Sequence, residues 1–289
     1  PSARTDRTSP LYGRSPMAMN PRLLRPLATS GWTPTQLPNL QLWLDAADAS
    51  TITLNGSSVS QWDDKSGNGR HFSQTANATH QPAYVTSGIN GRRSIDFDGV
   101  NDRLGRDNEA WAYNFPVAVF AVFRATAFTN AYNGLFGFYG NSTGGTRSYG
   151  VLVKSNGKSA IYAATTAGGT TSVSYDGTGS VTYSTATNHV FSATLANNSI
   201  QSWGDGSSDG TVSTSFTLKT NEPSPILKVE IGSDSLFSRF TDWLIGEAIM
   251  VSGAAITQEN RQRTEGYLAH KWGSAGQLPA DHPYKSARP

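Results

Sequence analysis

The sequence predicts an all-β fold, two antiparallel sheets packed as a sandwich or jelly roll, with one helix near the C-terminus and an extended segment ahead of the body. Three observations predict it. Runs rich in β-branched and aromatic residues recur along the chain with only Gly-, Asn- and Asp-rich turns between them, which argues for a sandwich rather than βαβ units. Charged residues are 15% of the 289, well under the roughly 25% of an average globular protein, so Ser, Thr, Asn, Gln and Gly must build the polar surface. Helix-start signals gather at one place, around Thr257.

Residues 1–35 read as an extended basic Pro/Arg-rich docking arm and residues 36–289 as the sandwich domain. Five arginines (Arg4, Arg7, Arg14, Arg22, Arg25) stand in the arm against Asp6 alone, a formal +4, which leaves the remainder of this +2 chain at −2. Pro1, Pro10, Pro16, Pro21 and Pro26 remove backbone donors and fix φ, so neither a helix nor a central strand forms there. Leu11, Tyr12, Leu23, Leu24 and Leu27 supply scattered apolar anchors. A disordered tail is the plain alternative. As a docking segment it suits a protein surface, where guanidinium groups pair with carboxylates. Five dispersed charges with Tyr12 as the one aromatic suit nucleic acid poorly.

Within the body, the run Pro116–Arg124 (PVAVFAVFR) is too rich in β-branched and aromatic residues for a surface helix. It reads as a central strand buried on both faces. Further strands are expected over residues 134–139, 149–154, 160–164, 190–195, 199–203 and 227–231, with turns at Asp176-Gly177 and Asn197-Asn198. The helix follows Thr257 as its cap, with Glu259 in the first turn and Ile256 stapling the entry. Tyr267, Leu268 and Trp272 form its apolar stripe, and Arg261, Arg263 and Lys271 are expected to face water. Its expected place is one end of the sandwich, over a sheet edge.

Catalytic chemistry finds little support. A glycosidase of this build needs carboxylates at alternate positions of one strand, so that both reach one face. Of the six Glu only Glu109 has an acidic partner two residues away, Asp107, in a polar loop-like stretch, and the other pair at that spacing, Asp96 and Asp98, runs into Gly99 and a turn. Gly206-Ser207-Ser208-Asp209-Gly210 matches the nucleophile-elbow pattern formally, but Thr211-Val212-Ser213-Thr214 follows instead of a helix, so it reads as a polar hairpin turn. The five His show no paired spacing, and the chain has no Cys, which leaves no transition-metal set. No apolar run approaches the ~20 residues of a membrane span.

Two groups stay open to function. Asp96, Asp98, Asn101 and Asp102 gather oxygens of the kind calcium prefers. Side chains holding a turn explain them equally, and without a complete calcium-loop spacing the turn is the stronger reading, so no cofactor is expected. Trp111, Tyr113 and Tyr132 lie in loop-like stretches and are the candidates for contact with a glycan, whereas Trp43 and Trp62 sit in motifs that look structural.

Those motifs are Leu42-Trp43-Leu44-Asp45-Ala46-Ala47-Asp48, the corner from Trp62 to Arg70, Phe97-Asp98-Gly99-Val100-Asn101-Asp102, and, far downstream, Gly246-Glu247-Ala248-Ile249-Met250-Val251 with Tyr267-Leu268-Ala269-His270-Lys271-Trp272-Gly273. In this order, over roughly residues 36 to 285, the chain resembles a laminin G-like domain of the concanavalin A-like lectin/glucanase superfamily. It is similar in particular to versions found in bacteriophage structural proteins and secreted bacterial proteins. The resemblance implies an all-β, concanavalin A-like jelly-roll sandwich of two antiparallel sheets, with the extended N-terminal arm and one C-terminal helix. It further implies a non-enzymatic virion structural protein such as a capsid-decoration protein at the particle surface. Its partner would be a capsid or other virion protein, met through Arg4, Arg7, Tyr12, Arg14, Arg22, Leu23, Leu24 and Arg25. The alternative is a carbohydrate-binding module, extracellular or host-adhesive, contacting a cell-surface glycan.

Overall fold

The computed structural model describes residues 31–107, 109–139, 147–165, 172–176, 179–218, 228–234 and 238–289. The arm residues Arg4 to Arg25 lie outside this set, as does Gly177 of the expected Asp176-Gly177 turn. The body is a compact unit from Trp32 to Pro289. Trp32 and Pro34, counted with the arm by composition, are buried in it.

The chain folds as an all-β sandwich with one C-terminal helix. In the front sheet β1 (Leu40–Asp45) and β6 (Ser94–Asp98) share one side of β19 (Asp242–Ser252). On the other side of β19 follow β8 (Val117–Ala127), β13 (His189–Ala196), β14 (Ser199–Gly204) and β15 (Ser207–Val212). The back sheet begins with β2 (Ile52–Asn55), β3 (Ser58–Trp62), β4 (Phe72–Ser73), β7 (Leu104–Asp107) and β16 (Lys228–Ile231). It continues through β9 (Tyr132–Tyr139), β10 (Arg147–Lys154), β11 (Ser159–Ala164) and β12 (Ser172–Asp176). Strand β5 (Ala83–Val85) pairs with both β6 and β3 and joins the sheets along one side. A short hairpin, β17 (Ser233–Asp234) with β18 (Arg239–Phe240), packs against Gly134, where a side chain would collide with the Asp234 backbone.

Strand β8 shows why this sequence forms this layer. Val117, Val119, Ala121, Phe123 and Ala125 enter the core between the sheets, while Ala118, Phe120 and Val122 enter a second cluster on the outer side. Alternation puts successive side chains on opposite faces, so a strand covered on both needs the unbroken apolar run seen here. The outer cluster lies beneath α1 (Gln258–Trp272), which contributes Leu268, Ala269 and Trp272. Thr257 caps α1 by accepting the Asn260 N–H, and Gly273 ends it in the left-handed conformation. The helix therefore covers the outer face of the front sheet, not an end of the sandwich. Arg261 and Lys271, expected in water, are both largely buried by ion pairs. Of Gly206–Gly210, expected as a hairpin turn, Ser207 onward belongs to edge strand β15, and the reversal sits at Asp205 and Gly206, both with positive φ.

Strand β1 pairs with β19 so that Asp45 faces Glu247. A β-bulge between Ile245 and Glu247 shifts the phase of β19: Trp243 and Ile245 point into the core before it, Ala248 and Met250 after it. Glu247 is thereby aimed at the helix. It accepts hydrogen bonds from Trp43 Nε1 (2.6 Å), Trp272 Nε1 (2.7 Å) and Tyr267 Oη (3.0 Å). Lys271 Nζ lies 2.7 Å from it and 2.7 Å from Asp45. Burial pushes the Glu247 carboxyl up and the Lys271 charge opposes that.

Gly246 occupies the bulge because a Cβ there would lie 2.8 Å from the Trp272 ring. Gly246→Ala must push that ring off the strand, and a loss of about 1–3 kcal/mol is expected. Urea unfolding reads it directly; an unchanged midpoint would show that Trp272 does not depend on contact with the strand.

Candidate functional site

On the outer face of the front sheet, beyond the reach of the helix core, alternation along β14 turns Ile200 inward and Gln201 and Trp203 outward. The register sets Gln201 beside Thr194 and Trp203 beside Ser192 on β13. The first turn of α1 and the segment before it stand over this surface. Thr194, Ser199, Gln201 and Trp203 form the floor, and Ile256, Thr257, Gln258 and Arg261 the wall, of a groove of about 300 Å³. Pro116, Val117, Ala196 and Ala255 complete it.

Arg261 is the best-fixed group in the groove. Its guanidinium lies 4.2 Å over the Trp203 ring. Nη1 donates to both carboxylate oxygens of Glu265 at 2.7 Å, an i,i+4 pair one helical turn apart. Glu265 is completely buried and is held in turn by Ser192 Oγ at 2.5 Å, with His282 Nε2 3.4 Å away. A guanidinium has five N–H donors, so the pairing with Glu265 cancels the charge of Arg261 while leaving donors at the groove wall. The groove is thus electrically quiet, with an aromatic plane, two amides, three hydroxyls and one oriented cation. Strand alternation alone would have pointed to Trp203 and Gln201, whereas the loop criterion passed over them.

The three aromatics expected at a contact surface do not come together. Tyr113 is buried, packs edge-to-face on Tyr149 at 5.7 Å and presents no surface to a ligand. This corrects its assignment as a contact residue: the loop that carries it is a 3₁₀ turn folded into the core. Trp111 is half-buried, donates Nε1 to Glu109 and is capped by the Arg70 guanidinium at 4.5 Å. Tyr132 is half-buried between Arg239 at 4.5 Å and Lys154 at 5.4 Å, edge-on to Tyr162. Trp62 is a core residue and Trp43 is bound to Glu247.

Two of the calcium candidates, Asp98 and Asp102, hold their own turn, whereas Asn101 Oδ1 is buried without a hydrogen-bond partner. Asp98 Oδ1 accepts the backbone N–H groups of Val100 (2.9 Å), Asn101 (3.1 Å) and Asp102 (3.3 Å), and Asp102 Oδ2 accepts that of Asp98 (3.0 Å). Asp96 stands near Asp242 and Asp98 and is pushed up by burial and by both charges. Among the described residues no group of three His, Asp or Glu is placed to hold a metal ion.

A serine–histidine–aspartate arrangement does occur, at a place the sequence pattern did not mark. His189 Nδ1 lies 2.7 Å from Asp205 Oδ2. Nε2, however, accepts the backbone N–H of Ser184 at 3.1 Å, and its single lone pair is used there. Ser184 Oγ, 3.5 Å from the ring, donates to Thr187 Oγ1 at 2.9 Å. The imidazole holds a loop and has no lone pair left to take the hydroxyl proton.

No protein-family model and no curated protein matches the sequence. Solved structures do match in fold. Domain 4 of AbnA, a GH43 extracellular arabinanase from Geobacillus stearothermophilus in complex with arabinotriose, superposes with a TM-score of 0.53 at 13% identity, over 77% of this chain and 96% of that one. Trypanosoma rangeli sialidase in complex with the inhibitor DANA superposes with a TM-score of 0.52 at 11% identity, over 78% of this chain. This chain spans about a third (32%) of the sialidase's length. At these identities the likeness is one of fold, an all-β sandwich.

Burial, with the neighbouring Asp98 charge, pushes Asp102 up to about 6 from 3.8. A raised carboxyl holds its proton more tightly in the folded state, so stability is greatest below the unfolded value and falls as pH rises from about 4 to about 6. The full shift corresponds to about 3 kcal/mol; water at the exposed Asp98 reduces the expected loss to about 1–2 kcal/mol. Asp102→Asn keeps an acceptor for the Asp98 N–H and should remove this slope. Urea midpoints at pH 4 and pH 6.5 for both proteins, with and without millimolar calcium, check it. Equal slopes, or a calcium-dependent rise, would contradict the turn reading.

Proposed function

We propose that this domain is a non-catalytic carbohydrate-binding module whose sugar site is the groove between α1 and the outer face of the front sheet. One observation carries the proposal. Trp203 lies in a groove whose other polar groups are amides, hydroxyls and a charge-compensated guanidinium. A pyranose or furanose ring has apolar C–H faces and a rim of hydroxyls, and it is matched by an aromatic plane edged with such donors and acceptors. The volume of about 300 Å³ is that of a small-ligand site, at the lower end of the usual range. The chain's structural likeness to a domain bound to arabinotriose and to a sialidase supports the same reading.

Particle decoration through the basic arm was the leading expectation from the sequence. It rests on residues 1–30, which lie outside the described structure, and neither structure named above is a virion protein. The groove gives glycan recognition a physical basis that the docking reading does not have here.

Isothermal titration with arabinotriose and a panel of neutral pentose and hexose oligosaccharides tests the proposal. Trp203→Ala should weaken binding of the best ligand by roughly tenfold or more, as loss of a buried aromatic anchor does, while the urea midpoint stays near that of the parent. Undiminished binding by Trp203→Ala would remove the groove from consideration, and silence across the panel would end the glycan reading.

A further inference from the structure

The back sheet carries a second cleft, of about 360 Å³, on its own outward face. Register explains how it forms. Trp62, Phe72, Leu104, Val229 and Ile231 point into the core, so their neighbours Gln61, Ser73, Gly105 and Glu230 point out. Pairing aligns these four across β3, β4, β7 and β16 in one row. The row continues through Gly137 of β9 to Gly150 of β10. Asp107 and Lys228 are paired in the next outward row, and Arg103 lies two residues before Gly105 on the same side.

The charges in this cleft lie at two depths. Glu230 is completely buried, and its stem crosses the place where a Cβ of Gly105 would lie, 3.0 Å from Glu230 Cγ. Its carboxylate is held by Ser233 Oγ at 2.8 Å, Lys228 Nζ at 2.9 Å and Arg103 Nε at 3.7 Å. Above it Lys228 and Arg106 are more than a third exposed, Arg103 is partly exposed, and Asp107 is the exposed acid among the lining residues. A ligand entering from solvent meets Lys228, Arg103 and the exposed Asp107 before it meets the sunken Glu230, while Arg106 reaches the lining already paired with Glu109. Around them stand Gln74, Ser73 and Thr75, groups that bond hydroxyls. His71 is the one ring in the lining of this cleft, in place of the indole that marks the front groove.

We infer that the back-sheet cleft is a separate binding site for a carboxylated saccharide, a uronic-acid oligosaccharide, with Lys228 and Arg103 receiving the carboxylate and the Gln74–Thr75 rim the hydroxyls. The inference is independent of the sugar site proposed for the front groove, and the two respond to different substitutions. With both sites filled, the domain bridges a neutral and an acidic segment of polysaccharide from opposite faces.

The probe is trigalacturonic acid, with its methyl ester as the uncharged control, titrated into the full chain at low salt. The acid should bind and the ester should bind at least about fivefold more weakly, the ratio of one exposed charge contact near 1 kcal/mol. Lys228→Gln should weaken the acid by about the same factor, Lys228→Arg should restore it, and Trp203→Ala should leave it unchanged. Raising salt from about 50 to about 300 mM should weaken it further. Equal affinity for acid and ester, no binding of the acid at millimolar concentration, or undiminished binding by a folded Lys228→Gln would each overturn the inference.

Discussion

A buried carboxylate cannot stay ionised without partners that replace water, and Glu247 is provided with them from two parts of the chain. Trp43 reaches it from β1, and Tyr267, Lys271 and Trp272 reach it from α1. Lys271 passes the network to Asp45, and Lys65 continues it from Asp45 to Asp48. Asp64 holds the corner before Lys65 against β1 by accepting the Trp43 backbone N–H at 2.9 Å. The burial of each group is affordable only while the others are present, since removing one partner of such a pair leaves an uncompensated charge, at about 3–5 kcal/mol. The bulge at Gly246, the docking of α1 and the closure of β1 on β19 are conditions of this one cluster.

That cluster also explains what the sequence motifs mean. Trp43, Asp45, Asp48, Asp64, Lys65, Glu247, Tyr267, Lys271 and Trp272 all belong to the motifs quoted from the sequence, and each is bound within the network. They specify how the two ends of the body meet. The groups that face ligand-sized space, Trp203 and Gln201 on one sheet and Lys228 and Gln74 on the other, lie outside those motifs. A fold was therefore readable from the motifs and a task was not, because fold and site are carried by different residues.

What was legible followed local physics. The apolar run of β8, the Thr257 cap and the turn at Asn198 are settled by neighbours in sequence, and each stands where alternation, capping and positive φ require. What escaped depended on distant partners. A helical Lys or Arg reads as solvent-facing until an acid across the fold is known: Asp45, paired with Lys271, lies on the first strand of the sheet. Arg261 has its acid close by, at Glu265, but the pair is buried only because Ser192 of β13 and His282 of the C-terminal strap close over it. The same limit hid Trp203. Aromatics in loops look available and aromatics in strands look structural, yet Tyr113 turned inward and Trp203 outward.

The two outward faces then differ because one helix covers only one of them. On the front sheet α1 brings a wall, and its Arg261 arrives already neutralised by Glu265, so the groove offers shape, an aromatic plane and hydrogen bonds without net charge. On the back sheet no helix of the described residues stands over the strands, and the glycine at 105 lets Glu230 lie flat beneath Lys228 and Arg103. Glu230 is buried while its partners Lys228 and Arg103 reach the surface, and Arg106 is paired separately with Glu109. One sandwich in this way presents a neutral amphipathic surface and a charged polar one, separated by the thickness of its core.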